Sequence, residues 1–416
     1  MRPADSTDVL VVGAGLAGLA CAVGLTHAGL DVTVLEASDG VGGRVRTDEV
    51  DGMLLDRGFQ VHNTGYPEAR RILDHASLDL RSFDAGALVR YGDRLHRVGD
   101  PRRLPGWAAS TALAPIGGLK DKAVLGATAA RSALSSPKRL LRAPESTTYE
   151  ALRARGLSDT VIDRFLRPFL AGVFLEAELA TSSRFFDLVL RSFALGTQCL
   201  PAAGMGAMPA QLAARLAADQ ICLSTPVSAV APGAVTSARG VLTARAVVVA
   251  TDGPAAADLL PEVTTPPYNR TTTTYYLAPQ APTTEAAILL DGEASGPVTS
   301  TVPITNAAPS YAPGRCLITS SVLGPPVDHR VELAHLARIY GVDTARWDRV
   351  GQYDVVAGLP DMRPPMGNLR RPVRLEPGLY VCGDHRDSGS IQGALVSGRR
   401  AATAVLRELT PTAVHR

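Results

Sequence analysis

Lysine is almost missing from this chain. Only Lys120, Lys122 and Lys138 occur among 42 basic residues, so chemistry that depends on a lysine has few places to happen. Charge of either sign is not in excess: 42 basic and 40 acidic residues leave a formal net charge of +2, which gives no footprint for nucleic acid. The five cysteines, Cys21, Cys199, Cys222, Cys316 and Cys382, show no C-x-x-C spacing. That argues against a disulfide framework and a zinc site, and free thiols suit a reducing cytoplasm. Aromatic residues make up 5% of the chain, a thin supply for an aromatic cage. No stretch reaches the roughly 18 uninterrupted apolar residues of a membrane span, and Asp5 and Asp8 break the start of the N-terminal apolar run, unlike a signal peptide. There is no H-E-x-x-H helix, no Ser-His-Asp arrangement and no convincing pair of carboxylates.

What the chain does have is 416 residues, 46% of them hydrophobic, enough for two domains. "DVLVVGAGLAGLACAVGLTHAGLDVTVLEA" reads as a strand over 8–12, a glycine turn, a helix over 16–28 stopped by Gly29, and a strand over 31–35. The helix is apolar on most faces, as expected beneath a parallel sheet. Gly13, Gly15 and Gly18 form G-x-G-x-x-G, and Glu36 closes the second strand. The first glycine permits the tight turn, the second lets a pyrophosphate approach the backbone, and the third lets helix and strand pack closely. Free N–H groups at the helix start favour the phosphate, while Glu36 accepts from a ribose hydroxyl and repels a 2′-phosphate. NAD and FAD both remain open on these residues alone.

"EASDGVGGRVRT" then places Gly42, Gly43 and Arg44 shortly after Glu36, and "LLDRGFQV" follows at 54–61. This resembles the extended FAD fingerprint of the flavin-containing amine oxidase and phytoene desaturase-like superfamily of FAD-dependent oxidoreductases. "FLRPFLAGVFLEAELATSSRFF" at 165–186 and "LPAAGMGAMPAQLAARL" at 200–216 are similar to segments of its bacterial desaturase-like branch. The resemblance implies an α/β fold: a discontinuous Rossmann-type FAD-binding domain (1–62, 204–264 and 355–416) and an inserted α+β substrate domain (63–203 and 265–354) with a mostly antiparallel sheet. It implies FAD contacts from Gly13, Ala14, Gly15, Leu16, Ala17 and Gly18, then Glu36 and Ala37. Gly42, Gly43, Arg44, Gly58, Phe59 and Gln60 follow, with the strand 221–230 holding adenine at Val227 and a buried strand ending at Ala250 and Thr251. At the other end of the chain, "YVCGDHRDSGSIQGALVSG" makes Gly383 and Asp384 the ribityl and pyrophosphate contacts. Ser390, Ile391, Gln392 and Ala394 stand at the ring's pyrimidine edge, before a helix over 393–405.

Hydride transfer to a flavin asks the protein to orient a C–H bond and exclude water. A site poor in acid-base residues therefore fits. Gln60, Gln392 and His385 are the candidate catalytic groups, with Asn63 beside Gln60. His385 has two readings: a proton donor or acceptor near the flavin, or a clamp on the pyrophosphate or a loop. The lysine that many amine oxidases carry on a substrate-domain strand has no counterpart in "NRTTTTYYLAP", and no cysteine stands in "DSGSIQGA" for a covalent flavin link. An amine would draw on Tyr275, Tyr276, Phe59 and Tyr353. The expectation is non-covalent FAD and carbon–carbon dehydrogenation of a small lipophilic substrate, with oxygen or a quinone as electron acceptor. Amine oxidation with release of hydrogen peroxide and flavin-dependent isomerisation are the alternatives. No metal and no nucleic acid are expected, and the protein is placed in the cytoplasm. Trp107, apolar residues and scattered Lys and Arg over 104–144 have the composition of a segment that lies on a lipid surface.

Overall fold

The computed structural model describes residues 7–410. One six-stranded sheet runs in the order Ile221–Cys222, Val32–Leu35, Val9–Val12, Ala246–Val249, Leu379–Val381 and Arg374–Glu376. All neighbours are parallel except the last pair, an antiparallel hairpin. Val9–Val12 and Ala246–Val249 are buried at every position because both sheet faces are covered. On one face Val9, Val11 and Val248 pack against the helices Leu16–His27 and Ile391–Leu409. On the other, Leu10, Val12, Val247 and Val249 pack under Val235, Ala256 and Leu260.

Two glycines set how closely these layers approach. A Cβ on Gly18 would lie 2.0 Å from the Gly13 carbonyl oxygen, so only glycine lets the first helix sit on its own turn. A Cβ on Gly398 would lie 2.1 Å from the Ala17 carbonyl oxygen, which allows the last helix to touch the first backbone to backbone.

The second sheet has seven strands, in the order Asp348–Pro360, Tyr268–Ala278, Cys316–Leu323, Val298–Pro303, Ile288–Asp291, Gly86–Tyr91 and Arg94–Gly99. It is antiparallel except between Ile288–Asp291 and Gly86–Tyr91. The helix Arg167–Phe174 packs on it, while Leu119–Leu134 and Ser183–Leu195 pack against each other. Buried Asp56 joins the parts by accepting from Met205 N (2.9 Å) and the Tyr311 hydroxyl (2.7 Å). Burial pushes its carboxyl up to about 6 against these hydrogen bonds.

Three expectations change in detail. The strand read over 221–230 is two: Ser224 takes a left-handed φ of 47°, Pro226 cannot donate to a ladder, and Val227–Ala231 turns into a separate three-stranded antiparallel sheet. The last helix starts at Ile391 rather than 393, because Ser390 caps it by accepting from Gly393 N (3.0 Å). Position 355 lies inside the unbroken strand Asp348–Pro360, so a domain limit there would cut a strand.

Gly398→Ala should destabilise the fold by about 1–3 kcal/mol, since a methyl group is forced against backbone. Gly24→Ala, whose Cβ would meet only the Ala402 Cβ at 3.3 Å, should be near neutral. Equal thermal melts of the two variants would refute this account of the helix contact.

Candidate functional site

A single cavity of about 2090 Å³ runs from the glycine turn to the helical cover. That exceeds the roughly 300–1,000 Å³ of common ligand pockets and leaves room for a large cofactor together with a substrate. At one end Gly13 (φ 105°) turns the chain, and the position a Gly15 Cβ would occupy has nothing within 4 Å. The helix Leu16–His27 begins there without a side-chain cap, so its first N–H groups face the cavity as anion donors. Gly42 completes the cradle: its N–H donates to Ala14 O (2.8 Å), and a side chain at its φ of 116° would meet Val45 O at 2.3 Å.

Glu36 is buried beside this turn. Its Oε2 accepts from Ala14 N (2.6 Å), and its Oε1 accepts from Ser38 N (2.9 Å) and Ser38 Oγ (2.7 Å). Two carboxylate oxygens offer about four acceptor sites, so capacity for a ribose hydroxyl remains. Ser38 was not among the candidates. An acid followed two residues later by serine is a local turn signal that could have found it.

Further along, Arg44 donates to Gly358 O (2.9 Å), and its Nη2 lies 2.8 Å from Asp384 Oδ1. Burial works against the guanidinium, but the Asp384 carboxylate outweighs it and raises its pKa above the ordinary value. Asp384 is buried, yet its Oδ1 makes no contact with hydrogen-bond geometry, only the ion-pair distance to Arg44. An exposed glycine cradle, uncapped helix N–H groups and a buried carboxylate oxygen short of a donor suit a dinucleotide with phosphates and hydroxyls. Gln60 donates through Nε2 to Arg44 O (2.9 Å), and Gln392 accepts through Oε1 from Glu68 N (3.0 Å). Each amide is thereby oriented with one polar atom left for the cavity.

Nearly all the predicted cofactor residues line this one cavity: Gly13, Gly15, Leu16, Ala17, Glu36 and Ala37, then Gly42, Gly43, Arg44, Gly58, Phe59 and Gln60. Val227, Ala250, Thr251, Gly383, Asp384, Ser390, Ile391, Gln392 and Ala394 line it too. Ala14 and Gly18 do not. They lie behind the turn, Ala14 donating to Glu36 and Gly18 seating the helix.

His385 is a correction among the catalytic candidates. The φ of 149° at Gly383 and the turn Asp384–Arg386 fold the imidazole over Gly383, so that it lines a separate cavity of about 190 Å³ with Pro360, Met366 and Arg371. Neither ring nitrogen has a hydrogen-bond partner, and burial lowers its pKa to about 4, with Arg386, Arg44 and Arg371 adding to the shift and Asp384 opposing it. Tyr275, Tyr276 and Tyr353 also stand away from the large cavity. Their hydroxyls bond Asp56 O, His329 Nδ1 and Asp48 Oδ2.

The aromatic walls come instead from Phe165, Phe169, Phe185 and Phe193, none of which sequence reasoning selected. Phe165 and Phe169 stack with centroids 5.9 Å apart, and their four-residue spacing in "FLRPF" was the available signal. Lys122 also lines the cavity, but its Nζ donates to Ala112 O (2.6 Å) and Ala114 O (2.9 Å), and burial lowers its pKa.

A sequence model described as flavin containing amine oxidoreductase matches residues 16–406. Protoporphyrinogen oxidase 2 of Arabidopsis thaliana is 39% identical over 98 residues, 23% of this chain and 19% of that protein. The zeta-carotene-forming phytoene desaturase of Myxococcus xanthus is 39% identical over 93 residues, 21% of this chain and 18% of that protein. The chain thus spans about a fifth of the length of these curated relatives. Among solved structures, an oxidoreductase from Methanosarcina mazei superposes with a TM-score of 0.75 at 17% identity, over 95% of this chain and 100% of that one. Cyclohexylamine oxidase from Brevibacterium oxydans IH-35A gives 0.71 at 18%, over 97% and 99%. At these identities the likeness is one of fold, a mixed α/β architecture.

Two outcomes test the site. Glu36→Ala should weaken flavin nucleotide retention ten-fold or more, read as the absorbance of the purified protein after dialysis; undiminished retention would show the ribose contact to be misassigned. For His385, the depressed folded pKa means that the unfolded chain binds the extra proton between about pH 4 and 6.5. Its contribution to stability is therefore complete above that window and lost as pH falls through it, by up to about 3 kcal/mol. His385→Gln should flatten the urea-unfolding profile between pH 6.5 and 4; an unchanged profile would count against burial of a neutral ring.

Proposed function

We propose, from the premise that this chain belongs to the flavin containing amine oxidoreductase family and is an FAD-dependent oxidoreductase, that it dehydrogenates a carbon–carbon bond of a lipophilic substrate. The parallel sheet and its helices are read as a discontinuous FAD-binding domain, and the seven-stranded sheet with its helical cover as the inserted substrate domain. In this reading Gly13, Gly15 and the start of the first helix hold the pyrophosphate and Glu36 the adenosine ribose. Val227 and Thr251 line the adenine end, and Arg44 and Asp384 face the ribityl and phosphate span. Ser390, Ile391 and Gln392 stand at the edge of the ring. FAD held there without a covalent link supplies a hydride acceptor that can later pass its electrons to oxygen or a quinone.

The chain's own residues supply orientation and dryness. The observation that carries the reading is the chamber wall of Leu125, Phe165, Phe169, Val173, Leu188 and Phe193. An ammonium desolvated among these side chains would need a free carboxylate. Of the carboxylates along the chamber, Asp100 takes Arg102 and Glu68 takes Arg71 and Arg399, while Asp84 accepts from Ala286 N (3.0 Å). Gln60 and Gln392, both neutral, are suited to orient rather than to titrate. Hydroxyls of Thr271, Thr299 and Ser300 add a mildly polar wall from the sheet.

In an anaerobic stopped-flow screen, lipophilic polyenes should bleach the bound flavin while simple amines leave it oxidised. Phe169→Ser should raise the half-saturating polyene concentration several-fold. Bleaching by amines, with hydrogen peroxide formed in air, would move the protein to the amine oxidases. An isomerised product formed without bleaching would assign it to non-redox chemistry.

A further inference from the structure

Residues 102–142 hold eight basic residues, Arg102, Arg103, Arg131, Arg139, Arg142 and all three lysines, against one acid, Asp121, while the whole chain carries a net charge of only +2. Asp121 is buried and spent internally, accepting from Gly118 N (2.8 Å) and Ser158 N (2.8 Å). Arg102 pairs with Asp100, Arg131 pairs with Asp187 and Lys122 donates to two carbonyls, so the outward cationic excess rests on the exposed Lys120, Lys138, Arg139 and Arg142.

The same segment carries an apolar exposed face. The helix Leu119–Leu134 exposes the stripe Leu119, Ala123, Gly126, Ala127, Ala130 and Leu134, which follows the helical period and contains no charged residue. A helix side facing only water would be polar there. Leu119 is 71% exposed, Leu134 89% and neighbouring Leu113 84%. Lys120 and Arg131 flank the stripe, and Lys138 and Arg139 stand exposed just beyond its end. Gly126 and Ala130 belong to the stripe and also line the large cavity, so stripe and chamber are continuous.

We infer that this face docks on an anionic lipid bilayer and that the chamber takes its substrate from the bilayer; the second part rests on the reading of a lipophilic substrate. Apolar side chains at the centre of a basic rim match the acyl and headgroup layers of such a surface. A second copy of the chain is a poor occupant, because two faces of the same strong positive charge repel. The described residues contain no helix long and apolar enough to cross a membrane, and the contact inferred is peripheral.

The test is co-sedimentation of the FAD-loaded full chain with vesicles of phosphatidylcholine containing about a third phosphatidylglycerol, and with pure phosphatidylcholine, at low and high salt. Binding should require the anionic lipid and be released by salt. Leu119→Asp with Leu134→Asp should lower the partition coefficient more than ten-fold, and Lys120→Glu and Lys138→Glu about five-fold each, with flavin absorbance and melting temperature unchanged. None of these residues lines the cavity. Failure to bind anionic vesicles, binding that the variants do not weaken, or a dimer in sedimentation equilibrium that the leucine variants dissociate would overturn the inference. Vesicle binding is read without turnover, and flavin reduction by detergent-dispersed polyenes is read without vesicles, so each reading can fail alone.

Discussion

The architecture depends on one steric constraint, the backbone-to-backbone approach of the first and last helices. Gly18 seats the first helix on its turn, and Gly398 lets the last helix rest against Ala17. Residues about 380 positions apart are thereby brought to the wall of one groove. A side chain at either point would separate the glycine turn from the helix that begins at Ile391, and the cavity would lose one of its ends. The buried valines of the central strands make this arrangement stable, but glycine sets its dimensions.

Electrostatics then divides the cavity. The pair of Arg44 and Asp384 is a costly way to hold a fold together, since taking two charges out of water offsets most of their attraction. An oxygen of that pair left without a hydrogen bond is more costly still unless a ligand completes it. The opposite end of the same cavity is built from phenylalanine and leucine. A polar half suited to a nucleotide and an apolar half meet where Gln60 and Gln392 stand.

The nucleotide half was legible in the sequence because a phosphate cradle dictates residue types over a short contiguous stretch, from Gly13 to Arg44. The two halves of the chain could be joined on paper only through the resemblance, since nothing local says that Gly383 and Asp384 return to Arg44. The direction of His385 was not legible. It follows from one backbone angle at Gly383, and a sequence does not state φ. Tyr275, Tyr276 and Tyr353 looked available because aromatic residues are few, yet their place in the sheet gives each hydroxyl an internal partner. The chamber walls come from helices whose mutual packing is long-range, so beyond the spacing of Phe165 and Phe169 no local signal joins them to Phe193.

Hydrocarbon solubility adds a constraint that joins the chamber to the surface around its mouth. Moving apolar matter into water costs about 0.8 kcal/mol per CH₂, so a substrate of twenty such groups would face about 16 kcal/mol in crossing an aqueous gap. No affinity of the chamber repays that on the way in, because the cost falls before any contact with Phe165 or Phe169 is made. Passage from a bilayer into a wall of phenyl and aliphatic groups exchanges one apolar medium for another at nearly constant free energy. If the chamber takes such a substrate from a bilayer, the exposed leucines and basic residues beside Gly126 and Ala130 would shorten the aqueous gap, along a stripe from Ala123 to Ala130 that carries no charge. For a substrate of that kind, the apolar character that suits a water-free site would equally favour an entrance at a bilayer surface.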